Sequence, residues 1–345
     1  MFFVPLPFVV ALVLVYLLAQ MTWRQGTVVL ANRRFRLLLG GYALLSVLIG
    51  LRWGYGVKTL LPLQATLAVA LAAWAWCCYQ SLAAAPAPRW QWLHGVPAVL
   101  VVLLFAAWPD GVDAVVVLAY LGYGLALLRL ARRGPDALGL ARLDEALLAH
   151  RALWATAVLL LMSALADVFI AWDIRHNAGS HSAALVGAGQ LLMLLLCGYA
   201  AAVAADSLPE TENKPEPVAD TPAPAAELLA DGPRIRDALN ALLQQQPLYL
   251  QPDLNLLRLA RKSGIPARQI SAAINQVEGK NVSQYVNDFR VQHACRLLLT
   301  TEQTVTDAML ASGFQTKSNF QREFRRVTGT TPQLWRQAQK DKLSE

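Results

Sequence analysis

TVTDAMLASGFQTKSNFQREFRRVTGTTPQLWR, residues Thr304–Arg336, has the pattern of two short helices around a tight turn, with Gly313 at the turn. The second helix is expected over Thr316–Val327, where Phe320, Phe324 and Val327 fall at i, i+4 and i+7 and form an inward stripe at helical period. Lys317, Ser318, Asn319, Arg322, Arg325 and Arg326 occupy its other faces. Lysine and arginine neutralise phosphates, and arginine and asparagine can each make paired hydrogen bonds to base edges in the major groove. A basic helix face alone is weak evidence, because most charge runs are simply solvated. A glycine-hinged helix pair, apolar inside and basic outside on its second helix, is a stronger pointer to DNA.

The same residues resemble the AraC/XylS family of bacterial transcription regulators. The likeness is carried by Ser312-Gly313-Phe314, then Ser318, Phe320, Arg322, Phe324 and Arg325, then Gly329, Thr331-Pro332 and Arg336, in that order and spacing. One pair departs from the pattern. The family favours a branched apolar residue followed by alanine before the Gly-Phe turn, where this chain has Ala308-Met309. We expect that exchange to alter packing without losing the helix pair.

Composition divides the chain. It is 56% hydrophobic and only 15% charged over 345 residues, against about 25% charged in soluble domains, so much of it must sit in lipid. Residues 1–205 carry 13 Lys+Arg and 7 Asp+Glu, residues 206–233 carry 1 and 7, and residues 234–345 carry 16 and 9. We therefore expect three regions: a membrane domain (1–205), an acidic Pro-rich linker (206–233) and a basic terminal domain (234–345). The cysteines Cys77, Cys78, Cys197 and Cys295 match no zinc spacing and read as small apolar filler. No cofactor and no metal are expected.

Apolar runs occur at about Phe2–Gln20, Leu37–Leu51, Leu60–Leu82, Leu93–Trp108, Val112–Leu130, Ala152–Trp172 and Ala183–Ala205. Several approach the ~20 residues that cross the hydrocarbon core, which gives seven expected spans. Phe2–Gln20 lacks a charged leading region and an evident cleavage site, so it reads as a retained helix. With the N-terminus outside, ten Arg residues fall on inner loops against Arg52, Lys58 and Arg175 on outer ones, as the positive-inside rule requires. That topology places the terminal domain in the cytoplasm of a bacterium, beneath its inner membrane. The expected outer loops, Arg52–Thr59, Pro109–Gly111 and Asp173–Ser182, are too short to bury a core of their own.

Asp167 is a carboxylate within a span, a costly placement that marks it as a candidate for sensing. His176 and His181 in the following loop are pH-responsive candidates, and Gln64 and Gln190 are candidate partners between helices. The linker Asp206–Pro233 is proline-rich, acidic and poor in aromatics, so it is expected to act as a spacer.

In the terminal domain, helices are expected over Ile235–Gln245, Leu254–Lys262 and Pro266–Val277, with the turn Ser263-Gly264-Ile265 making a first helix-turn-helix. Val282–Leu299 reads as one long connecting helix, and its Tyr285, Arg290, Ala294, Leu297 and Leu298 also match the family. The resemblance covers about Ile235–Gln339. It implies that two recognition helices enter successive major grooves. Carried over by position, the base-facing residues would be Lys317, Ser318, Asn319 and Arg322 in the second unit, with Arg325 and Arg326 on phosphate. In the first unit they would be Arg268, Ser271 and Ala272.

The expectation is therefore an all-α protein: a seven-helix transmembrane bundle followed by a cytoplasmic tandem helix-turn-helix domain. It would act as a one-component transcription regulator and not as an enzyme, since no catalytic constellation stands in the spans. Its expected partners are double-stranded DNA, the lipid bilayer, a second copy in a homodimer, and a small-molecule or membrane-protein signal. The alternative is a transporter or channel with a regulatory helical domain. Scarce charge in the spans and the absence of a repeated broken-helix pattern weigh against it.

Overall fold

The structure, a computed structural model, describes residues 5–23, 30–83, 91–143, 146–177 and 231–344, with the single positions 184 and 189. Every regular element among them is helical, and the one extended pairing is an isolated antiparallel bridge between Arg142 and Asn255. The chain divides into two compact units, Met1–Ala137 with Leu148–Thr211, and Leu138–Leu147 with Glu212–Glu345. The short connection Leu138–Leu147 belongs with the C-terminal residues. The spacer residues 206–230 lie outside the described residues, as does most of the seventh apolar run, including Gln190 and Cys197.

The first unit is built from α1 (Leu6–Trp23), α2 (Leu30–Tyr55), α3 (Leu61–Gln80), α4 (Val96–Ala107), α5 (Val112–Ala131) and most of α6 (Ala146–Asn177). Six of the seven expected runs coincide with these helices. Four segments are long and apolar enough to cross a membrane: Arg33–Tyr55, Lys58–Gln80, Pro109–Ala131 and Ala149–Asn177. Leu6–Tyr16 and Gln91–Ala107 are shorter apolar helices. Several helices extend beyond the apolar runs: α2 runs from Leu30 to Tyr55 and α6 from Ala146 to Asn177, because adding a residue to a formed helix costs far less than starting one.

Small residues and hydroxyl hydrogen bonds join helices of this unit. Buried Ser46 donates through Oγ to the Pro7 carbonyl at 2.6 Å, tying α2 to α1. Tyr79 and Thr156 share a buried hydroxyl contact of 3.1 Å between α3 and α6. Gly124 lets α6 come so close that a Cβ there would meet Leu161 Cδ2 at 2.9 Å. Large apolar side chains point outward all along the bundle, among them Leu12, Val99, Leu118 and Leu165, each more than half exposed.

The second unit contains α7 (Gly232–Gln245), α8 (Leu256–Ser263), α9 (Ala267–Glu278), α10 (Val282–Thr300), α11 (Val305–Ala311), α12 (Lys317–Thr328) and α13 (Pro332–Ser344). α7 to α10 and α12 follow the expected boundaries to within a few residues, and α13 is a helix beyond the expected ones. The long helix α10 opens on a capping box, with Asn281 accepting from the Gln284 amide at 2.8 Å and the Gln284 side chain accepting from the Asn281 amide at 3.3 Å. One core gathers Leu239, Leu243, Leu254, Leu259, Ile270, Ile274 and Val286. A second gathers Val291, Ala294, Leu298, Met309, Phe314, Phe320 and Phe324. Because α10 contributes to both, it is the shared spine of the unit.

Candidate nucleic-acid interface

The second helix-turn-helix starts at Thr304, whose Oγ accepts from the Asp307 amide at 3.1 Å and caps α11. α11 ends at Ser312, whose hydroxyl donates back to the Ala308 carbonyl at 2.7 Å. Gly313 follows with φ +84°, the left-handed conformation that allows the abrupt turn. Phe314 then drops into the core at 5.2 Å from Phe320, which stands 5.4 Å from Phe324, and Trp335 of α13 closes the stack on Phe324 at 6.0 Å. This aromatic column fixes how far α12 rolls about its axis. Ala308 and Met309 are both buried in that core, where the flexible methionine side chain adapts to the space beside the small alanine. Val327 lies outside the column and is exposed, so the inward stripe ends at Phe324.

The column leaves Lys317, Gln321 and Arg325 exposed on the outer side of α12, with Arg322 half-buried beside them. These four line a surface recess of about 720 Å³ together with Thr331 and Gln333. Gln321 was missed in the sequence. Its spacing could have found it, since Lys317, Gln321 and Arg325 follow each other at i, i+4 and i+8.

Two expected contact residues are placed differently. Asn319 is fully buried and its side-chain oxygen accepts from Arg322 Nη2. The expectation that Asn319 faces a base is therefore corrected: it lies one helical turn before buried Glu323, on the inward side of α12. Arg326 gives Nε to Glu323 at 2.8 Å and Nη2 to Asp288 and to the Gln284 carbonyl, the last at 3.2 Å. Partial burial works against its charge, but the Asp288 and Glu323 carboxylates outweigh that and hold the guanidinium pKa above its ordinary value. Arg326 thus ties α12 to α10 while remaining on the exposed side of α12. Glu323, itself nearly buried, also accepts from Arg322 Nε at 3.1 Å. Asn319 and Glu323 together hold the Arg322 fork from two sides. Ser318 belongs to α12, but its side chain lies outside the described residues.

In the first helix-turn-helix motif, Asn255 caps α8 by accepting from the Arg258 amide at 2.8 Å. Gly264, with φ +70°, makes the turn into α9. Ile270, Ala273 and Ile274 bury one face of α9. Arg268 is exposed, and Ser271 and Ala272 are partly so, next to one another on the opposite side.

The two helix-turn-helix motifs meet at Arg290, a fully buried arginine of α10. Its Nε donates to the Tyr249 carbonyl at 2.6 Å and its Nη2 to the Gln251 carbonyl at 2.9 Å. Its guanidinium lies 5.7 Å from the Phe314 ring. The backbone at Tyr249 and Leu250 also receives the turn of the second motif. A Cβ on Gly313 would meet the Tyr249 and Leu250 carbonyl oxygens at 2.7 and 2.8 Å.

The sensing candidates of the other unit are placed separately. Asp167 is half-buried on α6. His176 is exposed at the end of α6, where Nδ1 donates to the Trp172 carbonyl at 2.9 Å and the ring stacks on Trp172 at 5.1 Å. His181 lies outside the described residues. Gln64 accepts from Arg52 Nη1 at 3.3 Å and joins α3 to the end of α2. One polar pair had not been foreseen: His94 Nδ1 and the Tyr123 hydroxyl, 3.2 Å apart.

The fold and this surface define the C-terminal unit as a helix-turn-helix domain with two such motifs. Residues 259–338 match a family model described as a helix-turn-helix domain. An uncharacterized HTH-type transcriptional regulator of Staphylococcus aureus (strain MSSA476) is 29% identical over 100 residues, which are 29% of this chain and 13% of the relative. The HTH-type transcriptional activator RhaR of Yersinia pseudotuberculosis is 29% identical over 112 residues, 32% of this chain and 37% of the relative. The chain thus spans well under half the length of these curated relatives. Among solved structures, the C-terminal domain of AraT, a response regulator from Geobacillus stearothermophilus, aligns with 24% identity and a TM-score of 0.27, covering 31% of this chain and 85% of that one.

Proposed function

We propose that this chain is a membrane-embedded, one-component transcription regulator that binds specific double-stranded DNA through its two helix-turn-helix motifs. The observation that carries the proposal is the roll of α12. Its aromatic column points inward, which leaves Lys317, Gln321, Arg322 and Arg325 outward in a region carrying 16 Lys+Arg against 9 Asp+Glu. Arg322, gripped by Asn319 and Glu323, is the residue for base readout, because a preset fork loses little entropy on pairing with a guanine edge. Lys317 and Arg325 serve phosphate. In the first motif, Arg268 and Ser271 are the polar contacts, and Ala272 offers only a methyl group.

The long apolar helices with their outward leucines and valines support a bilayer around the first unit. The Arg bias of the loops supports an N-terminus outside and the DNA-binding unit in the cytoplasm. The sensing step is assigned to the membrane unit, with Asp167 and His176 as its polar candidates and His181 added from sequence. A second copy of the chain would present paired domains to paired half-sites, raising the effective concentration.

The test is genome-wide DNA affinity selection with the full chain in lipid nanodiscs, run beside Arg322→Ala. A few sharply enriched promoters that fade in the variant would bear the proposal out. Diffuse, salt-sensitive retention identical in both proteins would remove sequence readout from this domain.

A further inference from the structure

The residues between α5 and α6 are in sequence a connection between two apolar helices, yet Leu138–Leu147 folds as part of the second unit. Leu138, Ala141 and Leu143 are each no more than 2% exposed. Leu143 belongs to the core that also holds Leu239, Leu254, Leu259 and Val286. The backbone is paired as well. The Leu143 amide donates to the Leu254 carbonyl at 3.0 Å, and the Leu257 amide donates to the Gly139 carbonyl at 3.3 Å. Arg142 bridges Asn255 in antiparallel fashion. Ser283 Oγ donates to the Leu143 carbonyl.

These contacts fall at two places that govern the first motif. Leu254–Leu257 contains the cap and first residues of α8, and Ser283 stands in the opening turn of α10. A segment of turns pinned to both fixes where α8 starts relative to the spine. Buried apolar side chains and directional backbone pairing together distinguish such docking from a loop resting on a surface.

We propose that Gly139–Leu143 is a docking strap and that Leu254–Leu257 with Ser283 is its receptor surface. The strap is covalently continuous with α5 and α6. A change in either helix that pulls on the connection therefore loosens the start of α8 and with it the first recognition helix, α9. The strap is thus the route by which the first unit governs DNA affinity. That consequence for DNA rests on the function proposed above, whereas the docking itself does not.

The experiment is hydrogen exchange on the full chain in nanodiscs, comparing wild type, Ser283→Ala and Leu143→Asp, followed by DNA titration of each. In wild type, the Leu143 and Leu257 amides are expected to exchange at least about a hundredfold more slowly than an unstructured loop, as amides of packed elements do. Ser283→Ala removes one hydrogen bond without disturbing core volume and is expected to speed exchange of Leu143 alone. Leu143→Asp is expected to release both amides while α11 and α12 keep their protection. It should also lower affinity for a selected DNA site by roughly tenfold, within the range of typical coupling between sites. Loop-like exchange of Leu143 in wild type would overturn the strap. So would protection that vanishes on dilution to single copies, because a second chain would then supply the segment. Released amides with unchanged affinity for a site that the wild type binds specifically would overturn the route to DNA and leave only the docking. If no protein binds DNA specifically while the amides are protected, the proposed function fails and the strap stands.

Discussion

Arg290 and Arg322 show how the same side chain serves opposite ends when its surroundings differ. Arg290 has no exposed surface and spends its guanidinium on two backbone carbonyls. Replacing it by Met leaves those carbonyls without donors in the interior, at about 1–3 kcal/mol each. We predict that Arg290→Met lowers the denaturation midpoint of the second unit substantially, as followed by exchange of its amides in the full chain. Arg322 is held by a buried amide and a nearly buried carboxylate but keeps a third of its side chain in solvent. Arg322→Ala is predicted to cost about 1–3 kcal/mol on the preferred site and much less on sites altered at one base pair. Affinities on a panel of substituted sites check this, and equal losses across the panel would assign Arg322 to the backbone. His293 gives a pH dependence. Burial, and then nearby Arg296, hold its pKa below the ordinary value of 6.5. The folded state therefore binds fewer protons than the unfolded one just below pH 6.5, so acidification must destabilise. The stability lost between pH 7 and the lowered folded pKa is predicted to shrink in His293→Gln, as measured by denaturation of both proteins at matched pH.

At the level of elements, the turn at Gly313 is the most constrained. Its left-handed φ and its approach to the Tyr249 and Leu250 carbonyls penalise any side chain twice. Gly313→Ala is predicted to lose about 1–2 kcal/mol from conformation alone, and more from the crowded oxygens. Gly279→Ala, also at positive φ but facing open space, should lose only the first part. Comparing the two thermal midpoints separates the contributions. Much of the element structure was legible in the sequence: the aromatic spacing of α12, the uninterrupted pattern of α10, and the six apolar runs that became α1–α6. The rest was hidden for identifiable reasons. Asn319 reads as a surface residue because a polar side chain faces inward only where a partner waits, and that partner, Arg322, was itself taken for a surface group. Gln321 lacked a charge to draw the eye. The segment 138–143 has neither helical nor alternating periodicity long enough to register, since its few buried residues dock individually against a surface made 110 residues later in the chain.

For the whole molecule, charge is distributed by region, and the region that would meet DNA holds an excess of 7 positive charges, from 16 Lys+Arg and 9 Asp+Glu in residues 234–345. Several of these are already committed within the fold, as Arg290 and Arg326 are. The number of counterions released on DNA should therefore be smaller than the charge count suggests. A plot of log affinity against log salt falls by about 0.9 per phosphate neutralised. Lys317→Ala and Arg325→Ala are each predicted to flatten that slope by about one, whereas Arg326→Ala should leave it nearly unchanged. Finally, the backbone at Tyr249–Gln251 supports Arg290 from one motif and the Gly313 turn from the other. Evolution or an engineer can therefore not trade the second motif as a free cassette. A transplanted α11–α12 pair would arrive without the carbonyl shelf on which its hinge rests. Recombination between such domains should succeed when the crossover falls before Leu248 and fail when it falls within α10.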